Sequence, residues 1–504
     1  MVNTNKIILR SILIVFYLLI ISILIFLTSS LFSYFNTGAD RSTMLHTDVK
    51  KLDQYVPKIS WKDDGNEGRF MDPQTLSSIE NDYLDAWYVK HIANKTNLET
   101  GIDDFYTKSA RKTLFNFIAH HKEANISIES TTLAHNPDIL FFSEDGQLVV
   151  LEDKNVVEYK KVIKDHKPVI ETTEASDYKG VFLLEDGFWR LRHLVKEQTS
   201  EFDKTIRPSL INPSNIKGIN YYPQATPWDM FGENFDLKII KKDFKIIKKA
   251  GLNTIRIFVP YEDFGKAKVI ESKLDKLEQV LDAADKRRLK VVVTLFDFYG
   301  NYEVLDWTLN HRHAEIIVSK FKDHKAILAW DVKNEPNLDF ESRGKERVVS
   351  WLEHLIILIK SIDKNHAVTI GWSNIKSAEI LKNSLDFVSF HYYEDVHEFE
   401  NEYDNLKKAI PNKPIVLGEF GVSSYSGGWN SFGSSEKIQA TYYQEMQKIL
   451  TKKNLSFISW TLYDFDAIPK EVVGVLPWRV NPQKEFGFIN TNGVKKPAFK
   501  FISN

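Results

Sequence analysis

The chain has 504 residues, 43% hydrophobic and 27% charged, the composition of a globular protein with room for two or three domains. Its 66 Lys and Arg against 68 Asp and Glu give a formal charge of -2, which argues against a nucleic-acid partner, and its 13% aromatic content argues against disorder along the whole chain. Cysteine is absent, so disulfides, thiolate metal sites, iron–sulfur clusters and a cysteine nucleophile are excluded.

From Ser11 to Phe35, 25 residues rich in Ile, Leu, Phe and Val carry no formal charge. As a helix this run spans about 37 Å, more than the ~30 Å hydrocarbon core of a bilayer. A cleaved secretory signal has an apolar core of only about 7–15 residues, so the length predicts a retained transmembrane signal-anchor over 11–35. Lys6 and Arg10 place residues 1–10 in the cytoplasm by the positive-inside rule. The expectation is a single-pass membrane protein with its folded part outside the cytoplasm, in the periplasm or at the cell surface. Residues 36–72 are polar and aperiodic and read as a tether.

A first folded unit is expected over 73–205. Asp72-Pro73 supplies an N-cap and a proline at the first helical position, and Leu76, Ile79, Tyr83, Trp87 and His91 follow at helical spacing. A second helix is predicted through Phe105, Ala110, Leu114, Phe117 and Ile118. After Asn125 come strand-like runs, from ISIESTTLAH to FWRLRHLVK, with turns at Glu144-Asp145-Gly146 and Glu185-Asp186-Gly187. Helices first, then a curved antiparallel sheet closed by EDGFWRLRHLVKE, resembles the NTF2-like α+β cone fold. The scattered histidines here, among them His120, His121, His135, His166 and His193, show no metal-ligand spacing. A spacer or interaction module is expected, with a polysaccharide synthase or a second copy as its partner.

Over 213–504 the pattern alternates. Eight short apolar strands, KGINYYP, NTIRIFVPY, VVVTLFDFYG, ILAWDVKNEP, AVTIGWSN, FVSFHYY, PIVLGEFG and FISWTLYDF, are separated by helix-period segments such as DLKIIKKDFKIIKKAG. This is the arithmetic of an α/β fold of the (β/α)8 TIM-barrel type. A doubly wound sheet is the alternative, and it would normally show a Gly-rich turn after its first strand, which this chain lacks.

Function in such barrels gathers at the C-terminal strand ends. Strand four ends in Asn334-Glu335-Pro336 and strand seven carries Gly418-Glu419-Phe420-Gly421. These strands lie on opposing sides of the barrel, so the two carboxyls face each other, as glycosidic-bond cleavage requires. On these motifs the segment from 214 onward resembles a retaining glycoside hydrolase of the cellulase superfamily, family 5 and its clan. The resemblance implies that Glu335 is the general acid/base, with a raised pKa, and Glu419 the ionised nucleophile. It implies that Asn334 binds the sugar 2-hydroxyl, Arg256 fixes the nucleophile, Tyr393 donates to Glu419 beside His391, and Trp460 lies under the sugar. Where many members carry a histidine after strand three, this chain has Asp297, expected to take over a sugar-hydroxyl contact.

Arg256 also admits a purely structural ion pair. Asp331 and Lys333 are expected to pair in the barrel interior. Trp228, Trp307, Trp372, Trp429 and Trp478 are candidates for sugar subsites or for loop packing. His311 and His313, two residues apart on a helix, are not expected to form a metal clip. No metal or organic cofactor is implied. The expectation is a membrane-anchored β-glycosidase acting on a glucan or mannan; the alternatives are a transglycosylase and a catalytically silent polysaccharide-binding or assembly protein.

Overall fold

A computed structural model describes residues 15–28, 54–62, 66–206, 208–209, 214–428 and 433–503. Helix α1 covers residues 15–28. At 1.5 Å per residue it measures about 21 Å, short of the ~30 Å apolar core of a bilayer. Among the described residues no helix is long and apolar enough to cross a membrane. The expected anchor over 11–35, and the single-pass, extracytoplasmic placement that rested on it, are corrected on this ground. Residues 1–14 and 29–53 lie outside the described residues, and so does most of the expected tether.

The described part of that tether is built into the first folded unit. Strand β1 (Lys58–Ile59) pairs in parallel with β2 (Ile126–His135). The Tyr55 hydroxyl reaches Thr132, and the Trp61 indole donates to Glu80 at 2.5 Å. Aromatic side chains at 55 and 61 gave this stretch something to bury, which a reading by polarity alone overlooks.

Helix α2 (Pro73–Thr96) starts as expected, with the Asp72 carboxylate accepting from the backbone N–H groups of Gln74 and Thr75. The second predicted helix is two, α3 (Ile102–Phe105) and α4 (Lys108–Glu123), interrupted at Tyr106 and Thr107. Strands β3 (Pro137–Phe142), β4 (Leu148–Lys164), β5 (Lys167–Glu185) and β6 (Phe188–Glu201) complete a mixed sheet ordered β1-β2-β4-β5-β6, with β3 also on β4. Two stretches read as separate strands form the single long β5.

The barrel closes with eight parallel strands: β7 (Lys217–Asn220), β8 (Thr254–Pro260), β9 (Lys290–Asp297), β10 (Ile327–Asn334), β11 (Ala367–Trp372), β12 (Val388–Tyr392), β13 (Ile415–Phe420) and β14 (Ser456–Ser459). Six lie within the segments the sequence assigns to them, and β9 and β14 each begin one residue earlier. Strands β8, β11, β12, β13 and β14 are buried throughout, as expected of parallel strands covered on both faces. The amphipathic helix after β7, α5 (Leu237–Lys249), turns Ile240, Phe244 and Ile247 inward under an Asp236 N-cap.

The two units share one core. Leu133 and Tyr159 of the N-terminal sheet belong to the barrel's hydrophobic cluster, and the Tyr159 ring lies 4.4 Å from that of Trp307. Arg347 bridges them, donating to Glu129 of β2 at 2.8 Å and to Glu303 of the barrel at 2.6 Å. The segment after β14 is held by a buried ion pair, in which Lys496 donates to Asp464 at 2.7 Å, while Gly487 N–H donates to the same carboxylate at 2.8 Å. Replacing Lys496 by Met leaves Asp464 buried without its counter-charge. Urea unfolding is expected to show a loss of about 3–5 kcal/mol, most of it recovered when Asp464→Leu is added. An unchanged midpoint for the single variant would refute this account of the C-terminal lock.

Candidate active site

The C-terminal strand ends form a cavity of about 380 Å³. Glu335 sits one residue beyond β10, with its backbone in the left-handed region at φ 50° and ψ 47° and its N–H bonded to the Gly371 carbonyl at 2.7 Å. A non-glycine residue in that region is uncommon, and such strain collects at functional sites. The Glu335 carboxylate meets His391 Nδ1 at 2.8 Å. Glu419, on β13, is 8% exposed.

Two donors hold the Glu419 carboxylate, and a third nitrogen stands near it. The Tyr393 hydroxyl donates to Oε1 at 2.6 Å, the Arg256 guanidinium donates to Oε2 at 3.2 Å, and His391 Nδ1 stands 3.9 Å from Oε2. Burial raises the Glu419 pKa above the ordinary glutamate value; His391, Arg256 and Tyr393 oppose that rise, and the nearby Glu335 carboxyl adds to it. Burial, followed by the Glu419 charge, pushes the Tyr393 hydroxyl far up, so it remains a donor.

Arg256 is buried at the centre of this arrangement. It donates through Nε and Nη2 to one Asp331 oxygen at 3.0 and 2.6 Å, through Nη2 to Asn334 Oδ1 at 2.9 Å, and through Nη1 to Asn220 Oδ1 at 3.1 Å. Asp331 is held by Thr294 Oγ1 at 2.8 Å and by the Gly371 N–H at 2.9 Å. Gly371 is a glycine by necessity, since a Cβ there would lie 2.8 Å from Arg256 Nη2 and 3.0 Å from His391 Nε2.

Asp331 and Lys333, expected to pair with each other, both have other partners: Asp331 meets Arg256 at 2.6 Å, and Lys333 meets Asp339 at 3.2 Å. The ladder between β10 and β11 shifts between Asp331 and Asn334. Arg256 is both a structural ion pair, through Asp331, and a neighbour of Glu419.

Asp297 and Trp460 line the cavity with Asn334, Glu335, Tyr393 and Glu419. His391 and Arg256 lie just behind them. The Tyr222 hydroxyl donates to Asp297 at 3.5 Å, and Trp460 packs against Tyr222, Trp228 and Phe258. Of the remaining tryptophans, Trp228 reaches the cavity, while Trp307 and Trp372 are core residues, and Trp429 lies outside the described residues. His313 is occupied by the Lys266 carbonyl at 2.9 Å. The sequence reading missed Tyr222, Phe298 and the roof from Val472, Val473, Gln483 and Phe486. Tyr222 was legible as an aromatic just after strand one; the roof, in helices α6 (Lys470–Val473) and α7 (Pro477–Lys484) and the turn after them, carried no motif.

Chemically, two carboxyls face one another with oxygens within 4.8 Å, one of them tied down by charge and hydrogen bonds. Glu335, His391 and Glu419 are also the group of potential metal ligands that converges among the described residues, although His391 Nδ1 is engaged by Glu335.

A mannan endo-1,4-β-mannosidase of Solanum lycopersicum is 25% identical over 244 residues, 40% of this chain and 56% of the relative. The β-glucuronidase of Homo sapiens is 24% identical over 297 residues, 53% of this chain and 41% of the relative. The chain thus spans about two fifths to three fifths of the length of these curated relatives. A solved exo-β-1,4-mannosidase from Opitutaceae bacterium strain TAV5 is 17% identical, with a TM-score of 0.49, over 59% of this chain and 61% of that one. The model of the cellulase family matches residues 212–466, just over half of the chain. From β7 to the loop after β14, therefore, the chain carries a glycoside hydrolase domain and belongs to the cellulase family, glycosyl hydrolase family 5.

Proposed function

We propose that the protein is a retaining glycoside hydrolase that cleaves a β-linked polysaccharide of uncharged sugars, of the glucan or mannan type, by double displacement. The observation that carries this reading is the nearness of the carboxyls: one oxygen of each lies within 4.8 Å of the other, which favours the roughly 5–5.5 Å separation of retaining enzymes over the 6.5–9.5 Å that admits a water between them. Glu419 attacks the anomeric carbon while Glu335 gives its proton to the departing glycosidic oxygen. The resulting glycosyl ester is opened by water, whose proton passes to Glu335 as Glu419 leaves. A sugar hydroxyl in place of that water gives transglycosylation.

The surrounding groups fit these roles. Arg256 occupies Asn334 Oδ1, which turns the Asn334 amide N–H2 outward as a donor for a sugar hydroxyl. Trp460 and Trp228 offer ring faces to the apolar side of a pyranose. The described lining holds Asp297, Glu335 and Glu419 but no Lys, Arg or His, so a uronic-acid carboxylate would meet three acids and no cation. This favours the mannanase-like side of the relatives over the glucuronidase-like side.

Residues 73–205 are read as an NTF2-like module. Their shared core with the barrel and the Arg347 bridge support a place within the enzyme's own body.

Proton NMR of the first-formed product is expected to show the β-anomer; an α-anomer appearing first would overturn retention. Glu335→Gln is expected to lower kcat on β-glucan or β-mannan by about 10²–10⁴-fold, and undiminished turnover would remove Glu335 from its role. Because burial raises the Glu419 pKa and activity needs the carboxylate, kcat/KM is lost as pH falls through a value above the ordinary glutamate range. Tyr393→Phe deletes a donor to that carboxylate, so the acid limb is expected to move up by about 1 pH unit. An acid limb that stays put, or moves down, would sink the assignment of Tyr393.

A further inference from the structure

A second cavity, of about 610 Å³, opens where the N-terminal unit meets the barrel. Tyr261, Lys266, Tyr299 and Asn301 come from the loops after β8 and β9, and Tyr88 and Lys95 come from α2. Those loops belong to the barrel end that carries Glu335 and Glu419. The loop after β9 serves both cavities: Asp297 and Phe298 line the catalytic one, while Tyr299 and Asn301 line the second. Phe298 takes the left-handed conformation, φ 59°, at the changeover.

Three cations, Lys95, Lys266 and Lys268, and three anions, Glu262, Glu303 and Asp306, line the cavity, so its formal charge balances. Lys95 pairs with Glu303, Lys266 pairs with Glu262 at 2.7 Å, and Asp306 accepts from the Asn301 amide at 2.5 Å. A balanced wall suits an uncharged ligand. Tyrosine rings and the Leu305 and Leu309 side chains add apolar surface beside hydroxyl and amide groups. That mixture matches a pyranose, with its C–H faces and hydroxyl edges.

Asn310 adds an independent sign. Its Oδ1 accepts from the Tyr299 hydroxyl at 2.8 Å and from the Trp351 indole at 2.9 Å. An indole N–H only donates, so the amide oxygen must face it, and the amide nitrogen is left over. Asn310 is fully buried and lines this cavity, and its Nδ2, directed at the Tyr261 hydroxyl, makes no hydrogen bond within 3.5 Å. A buried donor in that state calls for an acceptor oxygen.

We infer that the cavity between α2 and the β8 and β9 loops is a second saccharide site, holding an uncharged stretch of the polysaccharide outside the catalytic cavity. The inference rests on the glycosidase reading above and gives the N-terminal unit a part in substrate binding. A chain bound there adds contacts that a single sugar in the catalytic cavity lacks.

The test compares the full chain with Tyr88→Ala, which removes one wall, and Leu305→Trp, which fills the space. Substrates are cellohexaose and mannohexaose, against p-nitrophenyl β-glucoside and β-mannoside, which reach only the catalytic cavity. In both variants KM for the hexaose is expected to rise about tenfold, while kcat/KM for the aryl glycoside stays within about twofold. Unchanged hexaose KM values, or a parallel loss on both substrates, would overturn the second site and leave the glycosidase reading standing. A parent chain that turns over neither class would overturn that reading, and this inference with it.

Discussion

A single buried guanidinium organises the site. Arg256 stands on β8, yet it joins β7 through Asn220, β10 through Asp331 and Asn334, and β13 through Glu419. A charge at that depth is tolerated because two carboxylates outweigh the cost of its burial. The planar fork then converts a charge requirement into a geometric one, since each N–H points at one partner only. Four strands of the barrel are held in register at their functional ends by one side chain.

That arrangement explains why the two glutamates differ although they lie so close. Glu419 is enclosed and receives donors from Arg256 and Tyr393, while Glu335 protrudes past its strand and meets His391. Two carboxyls at this distance repel one another when both are charged, and the donors that offset this stand on the Glu419 side.

Much of this was legible in the residues. The alternation of short apolar strands and amphipathic helices located all eight barrel strands, because burial on both faces leaves an unmistakable pattern. Glu335 and Glu419 stood out since each ends or crowns a strand within a short motif. Other features were not legible. The Arg256 partnership of Asp331 was not legible, because it joins strands 75 residues apart. The roof at Val472, Val473 and Phe486 lies in a one-turn helix and irregular chain, too short for periodicity to report position. The 11–35 segment misled in the opposite way: apolar composition measures a tendency to leave water, and the described helix, residues 15–28, is too short to cross a bilayer.

Closure of the barrel has a consequence for how the chain is made. Its first strand, β7, finds one neighbour within a few dozen residues but its other, β14, only about 240 residues later, at Phe457 against Lys217. Synthesis proceeds from the N-terminus, so for most of that interval β7 presents an unpaired edge of backbone donors and acceptors. The N-terminal sheet is complete by then and already offers Leu133 and Tyr159 as an apolar seat. In the finished molecule that seat meets Trp307 and His354, which follow β9 in the chain, so the earlier-made unit can dock on the barrel only once more than three of its strands have been synthesised.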